Sequence, residues 1–294
     1  MGFSLKRVEI RVTLAADERG RGDEIVIRDL PCRVSVVKPG GPDKARATVE
    51  VTGMAYADME RLTTLSFRPL RSGRNLAAVC VGDDEEGLSL AFAGEIVAAS
   101  ADFSRAPDVA FVMDAMSGYY PSLLAEGPQA VSGSMPAADF IARQAAAAGY
   151  AFENHGVTAA VRDAVFNGSP VQKARACAAQ IGATLLIDDN AFVLLAPGAT
   201  RGEEIALVSP ENGLLGYPTF SSDGIEVRAS YRPSFRLGGL IRVSSVVPRA
   251  SGLWRVVALR HEFSAGWPGR GRWETRLSAA YEAGGRANSE RGAV

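Results

Sequence analysis

The last third of the chain contains three consecutive segments in which apolar and polar side chains alternate. In the final segment, Thr275, Leu277 and Ala279 fall on one side of an extended chain, whereas Arg276 and Ser278 fall on the other. A period of two is typical of a strand that buries only one of its faces. Glycine and proline residues stand between the segments, where turns need a positive or a fixed φ. The region therefore predicts an antiparallel meander that forms part of a small barrel or sandwich.

The first hundred residues show the same alternation in three shorter segments. Apolar side chains occupy every second position in each of them: Val8, Ile10, Val12 and Leu14; Cys32, Val34 and Val36; Ala45, Ala47, Val49 and Val51. A short helix is predicted at residues 58–65, and β-structure resumes at 75–81 and 88–99. Gly94 lies inside the last of these strands, where it indicates a bend or a close approach of two strands.

The middle of the chain contains an internal duplication. Residues 134–149 and 168–182 each contain a serine near a proline at their start and end with a glycine, and the two prolines are 34 positions apart (170 minus 136). Serine favours the cap of a helix, proline its first turn, and glycine the left-handed residue that ends it. Each predicted helix is followed by two short strands about a polar turn, at residues 153–156 and 188–190. The segment therefore predicts a two-fold αββ domain.

Length, charge and cysteine content narrow the class of protein. A chain of 294 residues is longer than one core usually fills, so two or three compact units are expected. A net charge of −1 gives no uniform basic field for general binding to nucleic acids or membrane surfaces. Cys32, Cys80 and Cys177 have no paired spacing, so we expect buried thiols in a reducing compartment. No signal peptide or long apolar run is present, so neither secretion nor membrane insertion is expected.

Several motifs follow one another in an order that is characteristic of one family. The C-terminal region has a glycine pair at 238–239, a Gly-x-Trp-x-Val strand that leads to His261 and Phe263, and a closing Trp-x-Thr-x-Leu strand. Residues 92–115 add a Gly-x-Ile strand followed by a second aliphatic strand. These elements resemble the two β-barrels of baseplate hub proteins from contractile-tailed phages. The similarity is to the Mu-like hub and, more distantly, to the late control gene D family.

The resemblance implies an α+β, mainly β fold with two similar antiparallel β-barrel domains and a small duplicated αββ domain. It puts the first barrel at residues 1–127, the αββ domain at 128–198 and the second barrel at 199–285. The composition of residues 286–294 predicts a disordered tail.

The resemblance also implies a homotrimer that needs no cofactor and that matches a six-fold tail tube through its two similar barrels. Its partners would be the tail tube protein, the central spike protein, the baseplate wedge proteins and the tape measure protein, with DNA only in passage. The expected location is the tail baseplate of the virion, after assembly in the host cytoplasm.

A dense acidic cluster, formed by Asp83, Asp84, Glu85 and Glu86, lies between two predicted strands. A channel wall that bound phosphate tightly would slow the passage of DNA, so a hub channel is expected to be neutral or acidic. We therefore predict that this turn lies near the channel or its tube-facing rim. The alternative is a solvated hairpin tip.

Two further residues are candidates for contacts with partners. Trp267 lies in a loop with glycine and proline neighbours, and aromatic residues are enriched at the centres of interfaces. It is therefore predicted to be an interface residue. His261 alternates with Leu259 and Phe263 on a strand, so it is predicted to be either packed or at an interface.

The sequence contains no recognisable catalytic or metal-binding motif. Neither His155 nor His261 belongs to a set of residues with ligand or triad spacing. His155 is predicted to lie in a turn, and the adjacent Asp188 and Asp189 are predicted to form a solvated hairpin turn. We therefore predict no catalytic, cofactor-binding or metal-binding residues. Two alternatives stay open: a hydrolase with an unrecognised site, and a β-rich scaffold unrelated to tails.

Overall fold

The computed structural model describes most of the chain, namely residues 5–15, 23–63, 74–124, 126–267 and 271–281. The predicted tail at 286–294 lies outside the described residues.

The chain divides into two compact units, each built from discontinuous segments. Unit 1 comprises Met1–Val36, Lys44–Ala125 and Glu262–Trp273. Unit 2 comprises Val37–Asp43, Glu126–His261 and Glu274–Val294.

The alternating segments of the first hundred residues form antiparallel β-structure in unit 1. Its strands are β1 (Lys6–Thr13), β2 (Glu24–Ile27), β3 (Cys32–Lys38), β4 (Arg46–Thr52), β5 (Leu76–Asp83), β6 (Gly87–Asp102) and β7 (Ala110–Met116). Hydrogen-bonded neighbours follow the order β4-β7-β6-β5-β1-β2. Two short helices are present, α1 (Tyr56–Leu62) and α2 (Tyr119–Leu123).

The register of this sheet explains why its apolar positions are buried. Val8 lies opposite Val81 and Ile10 lies opposite Val79, and all four side chains are buried. The predicted alternation is thereby confirmed for β1. Gly94 is the predicted point of close approach, because a Cβ atom there would lie 2.7 Å from the carbonyl carbon of Met116.

The duplicated segment forms the first part of unit 2. Its elements are β8 (Gln129–Pro136), α3 (Ala137–Ala148), β9 (Ala151–His155), β10 (Ala160–Phe166), α4 (Pro170–Gln180), β11 (Thr184–Asp188) and β12 (Ala191–Leu195). The predicted order of helix, strand and strand therefore occurs twice.

The two helices begin differently although their sequences are similar. Ser169 caps α4, since its hydroxyl accepts a hydrogen bond from the Gln172 amide while the Gln172 side chain accepts one from the Ser169 amide. The predicted cap by Ser134 on α3 is wrong, because Ser134 is a residue of β8 and Pro136 occupies the cap position. Helix α3 ends as predicted at Gly149, which has a left-handed φ of 72°.

The strands of the two copies also pair differently. Strands β11 and β12 form an antiparallel hairpin, as predicted for the second copy. In the first copy, β9 runs parallel to β12, whereas β10 pairs with β8. The predicted turn at 153–156 is therefore wrong in part, because Glu153 and His155 are residues of β9.

The β11–β12 hairpin is buried on both faces and joins two hydrophobic clusters of unit 2. Leu185 and Phe192 pack with the helices α3 and α4. Leu186 and Val193 point to the other side and pack among the strands of the C-terminal region. This hairpin therefore fixes the αββ segment to the rest of unit 2.

The C-terminal meander completes unit 2, apart from Glu262–Trp273, which belongs to unit 1. Its strands are β13 (Ile205–Val208), β14 (Thr219–Phe220), β15 (Gly224–Ser230), β16 (Leu240–Val243), β17 (Gly252–Ala265) and β18 (Trp273–Tyr281). Strand β18 lies between β15 and β17, and β16 pairs both with β17 and, in parallel, with β13. Thr275, Leu277 and Ala279 are buried, as their alternation predicts.

The predicted fold class is confirmed: the protein is α+β and mainly β, with large antiparallel sheets. The finer division into a separate αββ domain and two barrels at the stated boundaries stays a prediction.

Candidate functional site

Unit 2 contains a cluster of charged side chains, of which Lys38, Asp188 and Arg201 are buried. Lys38 ends β3 on its inward-facing side, and only 6% of its side chain is exposed. Its ammonium nitrogen lies 2.8 Å from Asp188 Oδ1 and donates to both carboxylate oxygens of Asp189 at 2.9 Å. The predicted solvated turn is therefore wrong for Asp188, whose side chain is 2% exposed.

Arg201 extends this cluster from the segment that follows β12. Its guanidinium donates to Asp188 Oδ2 and, through two nitrogens, to the two carboxylate oxygens of Glu153 at 2.9 Å. His155 Nε2 lies 3.2 Å from the same carboxylate. The predicted turn residue His155 is thus a strand residue at the edge of the cluster. We call Lys38, Asp188, Asp189, Arg201 and Glu153 the buried charge cluster.

The contacts within the cluster favour the charged forms of Lys38, Asp188 and Glu153. Burial alone would raise the pKa of Asp188, but Lys38 and Arg201 hold that pKa below its ordinary value. Burial alone would lower the pKa of Lys38, but Asp188 and Asp189 raise it. The hydrogen bonds from Arg201 lower the pKa of Glu153.

A general acid or base needs a pKa near the working pH and access to a substrate. The buried members of the cluster, Lys38, Asp188 and Arg201, offer neither, because their charges neutralise one another inside the unit. The physical role of the cluster is to fix the β11–β12 hairpin to the end of β3 and to the segment around Arg201.

His261 is packed inside unit 2, as one of the two predicted alternatives has it. Its side chain is buried, Nδ1 lies 2.8 Å from Thr275 Oγ1, and its ring meets the ring of Tyr231 edge-on at 5.1 Å. Burial, together with the charge of Lys38, lowers the pKa of His261 to about 3. His261 is therefore a neutral core residue of the single chain, and its predicted interface role stays a prediction.

Trp267 lies in unit 1 and is half-buried. The guanidinium carbon of Arg33 lies 4.0 Å from the centre of its ring, a cation–π contact that covers one face of the indole. The predicted interface role of Trp267 stays a prediction.

The acidic turn of unit 1 is a hairpin tip between β5 and β6. Asp83 forms an ion pair with Lys6 at 2.8 Å, and its other oxygen accepts hydrogen bonds from the amides of Glu85 and Glu86. Asp84 accepts a hydrogen bond from the amide of Leu5 at 2.9 Å. The tip is therefore well ordered by its own carboxylates. Its location at the channel or rim stays a prediction.

The described part of the chain shows no group of three or more histidine, cysteine or acidic side chains arranged to hold a metal ion. Among the same residues, no helix is long and apolar enough to cross a membrane.

The fold is shared with solved tail proteins from bacteria and their prophages. The 43 kDa tail protein of prophage MuSo2 from Shewanella oneidensis aligns with a TM-score of 0.61 at 8% identity, over 93% of this chain and 97% of that one. The tail protein from Neisseria meningitidis MC58 aligns with a TM-score of 0.61 at 10% identity, over 95% of this chain and 97% of that one.

A third structure extends the similarity beyond phages. The E. coli c3393 protein, a component of the type VI secretion system with structural similarity to T4 bacteriophage tail proteins gp27 and gp5, aligns with a TM-score of 0.56 at 7% identity. The alignment covers 86% of this chain and 74% of that one. At such low identities these comparisons show the fold alone, which is that of phage tail proteins.

A comparison of the sequence with family models assigns the chain to a family. A family model described as baseplate hub gp41 matches residues 9–265, which is most of the chain. The chain therefore belongs to the baseplate hub gp41 family, and its role is a structural one in a phage tail baseplate. The predicted resemblance to baseplate hub proteins is confirmed. A search of curated proteins gave no match.

Proposed function

We propose that the protein is a homotrimeric hub that joins the hexameric tail tube to the trimeric central spike and encloses part of the ejection channel. Its other partners are the baseplate wedge proteins and the tape measure protein, and DNA contacts it only in passage. The trimer assembles in the host cytoplasm and is carried in the virion. The observation that carries this proposal is the family match over residues 9–265, which covers most of each predicted barrel.

The two predicted barrel regions contain comparable β-structure, which supports the match to a six-fold partner. Strand β6 has 16 residues in the first region, and β17 has 14 residues in the second. Each long strand lies between hydrogen-bonded neighbours, β5 and β7 in one case and β16 and β18 in the other. A subunit that presents two such groups of three strands would give a trimer six similar surfaces.

We also propose that the hub acts without catalysis. The chemically active side chains that the sequence singled out are held in structural contacts. His261 is a neutral core residue, Asp188 is neutralised by Lys38 and Arg201, and His155 contacts Glu153. This arrangement supports a structural role.

The test is to delete the gene from the phage or prophage and to image the particles by negative-stain electron microscopy. We expect tails that lack an organised baseplate and spike, together with rescue by the wild-type gene supplied from a plasmid. Infectious particles with complete baseplates in the deletion strain would contradict the proposal.

A further inference from the structure

One sheet face of unit 2 combines exposed and half-buried apolar side chains with arginine. Strands β13, β16 and β17 lie side by side, and their outward positions form two rows. Ile205, Leu240 and Arg255 share the first row, and Leu207, Arg242 and Leu253 share the second. We call these six residues the arginine–leucine face.

The exposure of this face contrasts with the burial of the opposite one. Ile205 and Leu207 are 40% and 39% exposed, whereas the intervening Ala206 is 6% and Val208 is 0% exposed. Isolated exposed apolar residues need no explanation, but contiguous ones mark an interaction site. Apolar side chains combined with arginine, and without lysine, are also typical of protein interfaces.

The edge of β13 is partly occupied by Arg232, which disfavours the addition of a partner strand at that edge. Arg232 donates a hydrogen bond to the Leu207 carbonyl at 2.9 Å and another to the Asn212 carbonyl at 2.7 Å. The guanidinium therefore occupies part of the edge at which an added strand would form its hydrogen bonds. A partner is expected to dock on the face of the sheet.

The complementary surface occurs in the same chain, at the tip of the β5–β6 hairpin in unit 1. Leu5, Leu88 and Leu90 are 62%, 42% and 48% exposed there. The carboxylates of the acidic turn, Asp83 to Glu86, lie beside these leucines, and Asp84 is tied to Leu5 by the hydrogen bond described above. We call this surface the acidic–leucine tip.

The two surfaces carry charges of opposite sign. The arginine–leucine face has Arg242 and Arg255 and no carboxylate in its two rows, although Glu203 and Glu204 directly precede β13. The tip has four carboxylates beside the basic residues Lys6 and Arg7. Opposite charges around apolar centres orient an encounter and select the partner.

We infer that the acidic–leucine tip of one copy docks on the arginine–leucine face of the next copy in the trimer. The contact joins two different surfaces of one chain, which is the heterologous type from which closed rings are built. The inference rests on the proposed homotrimer and names the surfaces that form it. It also gives the acidic turn a role other than the predicted one at the channel rim.

Cysteine cross-linking between two differently tagged full-length chains tests this contact. One chain carries Leu207→Cys and the other carries Leu88→Cys, and a mild oxidant traps disulfides in the mixed sample. We expect a product that contains both tags on a non-reducing gel. The matched control replaces Leu88→Cys by Val165→Cys, a position that is 62% exposed and lies on β10, outside both surfaces. The wild-type chain controls for the native cysteines.

Charge reversal adds specificity to the test. Arg242→Glu in the first chain should reduce the rate of cross-linking about tenfold, since like charges then face each other. Glu85→Arg together with Glu86→Arg in the second chain should restore it. Equal cross-linking of the Leu88→Cys and Val165→Cys chains, or no response to either reversal, would overturn the inference.

A separate readout distinguishes failure of this contact from failure of the hub role. The mass of the assembled hub, measured by light scattering with and without the spike protein, reports the trimer directly. A trimer whose cross-linking does not follow these surfaces refutes the contact and leaves the hub role standing. The channel-rim location of the turn would then be favoured. The absence of any trimer refutes both.

Discussion

Replacing Asp188 by asparagine should destabilise the protein strongly. The asparagine would keep the size of the side chain but remove the negative charge that faces Lys38 and Arg201. Both cations are buried, with side chains 6% and 9% exposed, so water cannot take over the role of the carboxylate. Breaking a buried ion pair from one side costs about 3–5 kcal/mol, because the other side is left uncompensated.

The structure indicates that Asp188→Asn has a cost at the lower end of the range of about 3–5 kcal/mol. Lys38 retains Asp189, whose side chain is 22% exposed, and Arg201 retains Glu153, which is 37% exposed. Each cation therefore keeps one partly solvated partner. We expect Asp188→Asn to lower the free energy of unfolding by about 3 kcal/mol.

Urea denaturation followed by far-ultraviolet circular dichroism, at one protein concentration, measures the effect. The control is Asp23→Asn at the exposed ion pair with Arg61, where the side chains are 65% and 48% exposed. Such a pair contributes less than about 1 kcal/mol. An Asp188→Asn variant that is as stable as the Asp23→Asn control would refute the reasoning. Lys38→Met combined with Asp188→Asn should cost less than the sum of the single changes.

Three further predictions concern individual residues of unit 2. The pKa of His261 lies near 3, below the ordinary 6.5, so the folded chain resists a proton that the unfolded chain accepts. The contribution of His261 to the free energy of unfolding is then fully present above about pH 6.5, and it falls by up to about 1.4 kcal/mol per pH unit towards pH 3. His261→Gln should remove this part of the pH dependence, measured by urea titrations at several pH values. Ser169→Ala should lower the free energy of unfolding by about 1 kcal/mol in the same assay, because α4 loses its cap. Ser134→Ala should have no comparable effect, since Ser134 does not cap α3. Equal effects of the two changes would contradict the assigned caps. Leu194→Ala should lower the free energy of unfolding by about 3–4 kcal/mol, and with it the melting temperature, since Leu194 is fully buried in the cluster with α3 and α4. A loss below about 1 kcal/mol would contradict that packing.

The strands were predictable from the sequence because their side chains alternate on a simple period. Residues such as Ile10 and Leu277 face the core because every second position does, and no knowledge of the partner strand is needed to see this. The helix α4 was predictable for a similar local reason, since Ser169 and Pro170 together specify its first turn. These signals depend only on neighbours in the chain.

Pairing between distant segments was not predictable in the same way. The two copies of the αββ unit have similar sequences, yet β9 pairs in parallel with β12 while β10 pairs with β8. The buried charge cluster was missed for the same reason, because Lys38 and Asp188 are brought together by the fold alone. One local signal did exist: Lys38 continues the inward positions of Cys32, Val34 and Val36 on β3. A lysine at such a position requires a buried carboxylate.

Electron cryo-microscopy of the intact tail tests the central claim most directly, with the chain located by its fold in the density. The proposed hub role predicts three copies per tail, arranged as a ring around the channel between the last ring of the tube and the top of the spike. Density for the chain elsewhere in the baseplate, or a copy number other than three at this junction, would contradict it.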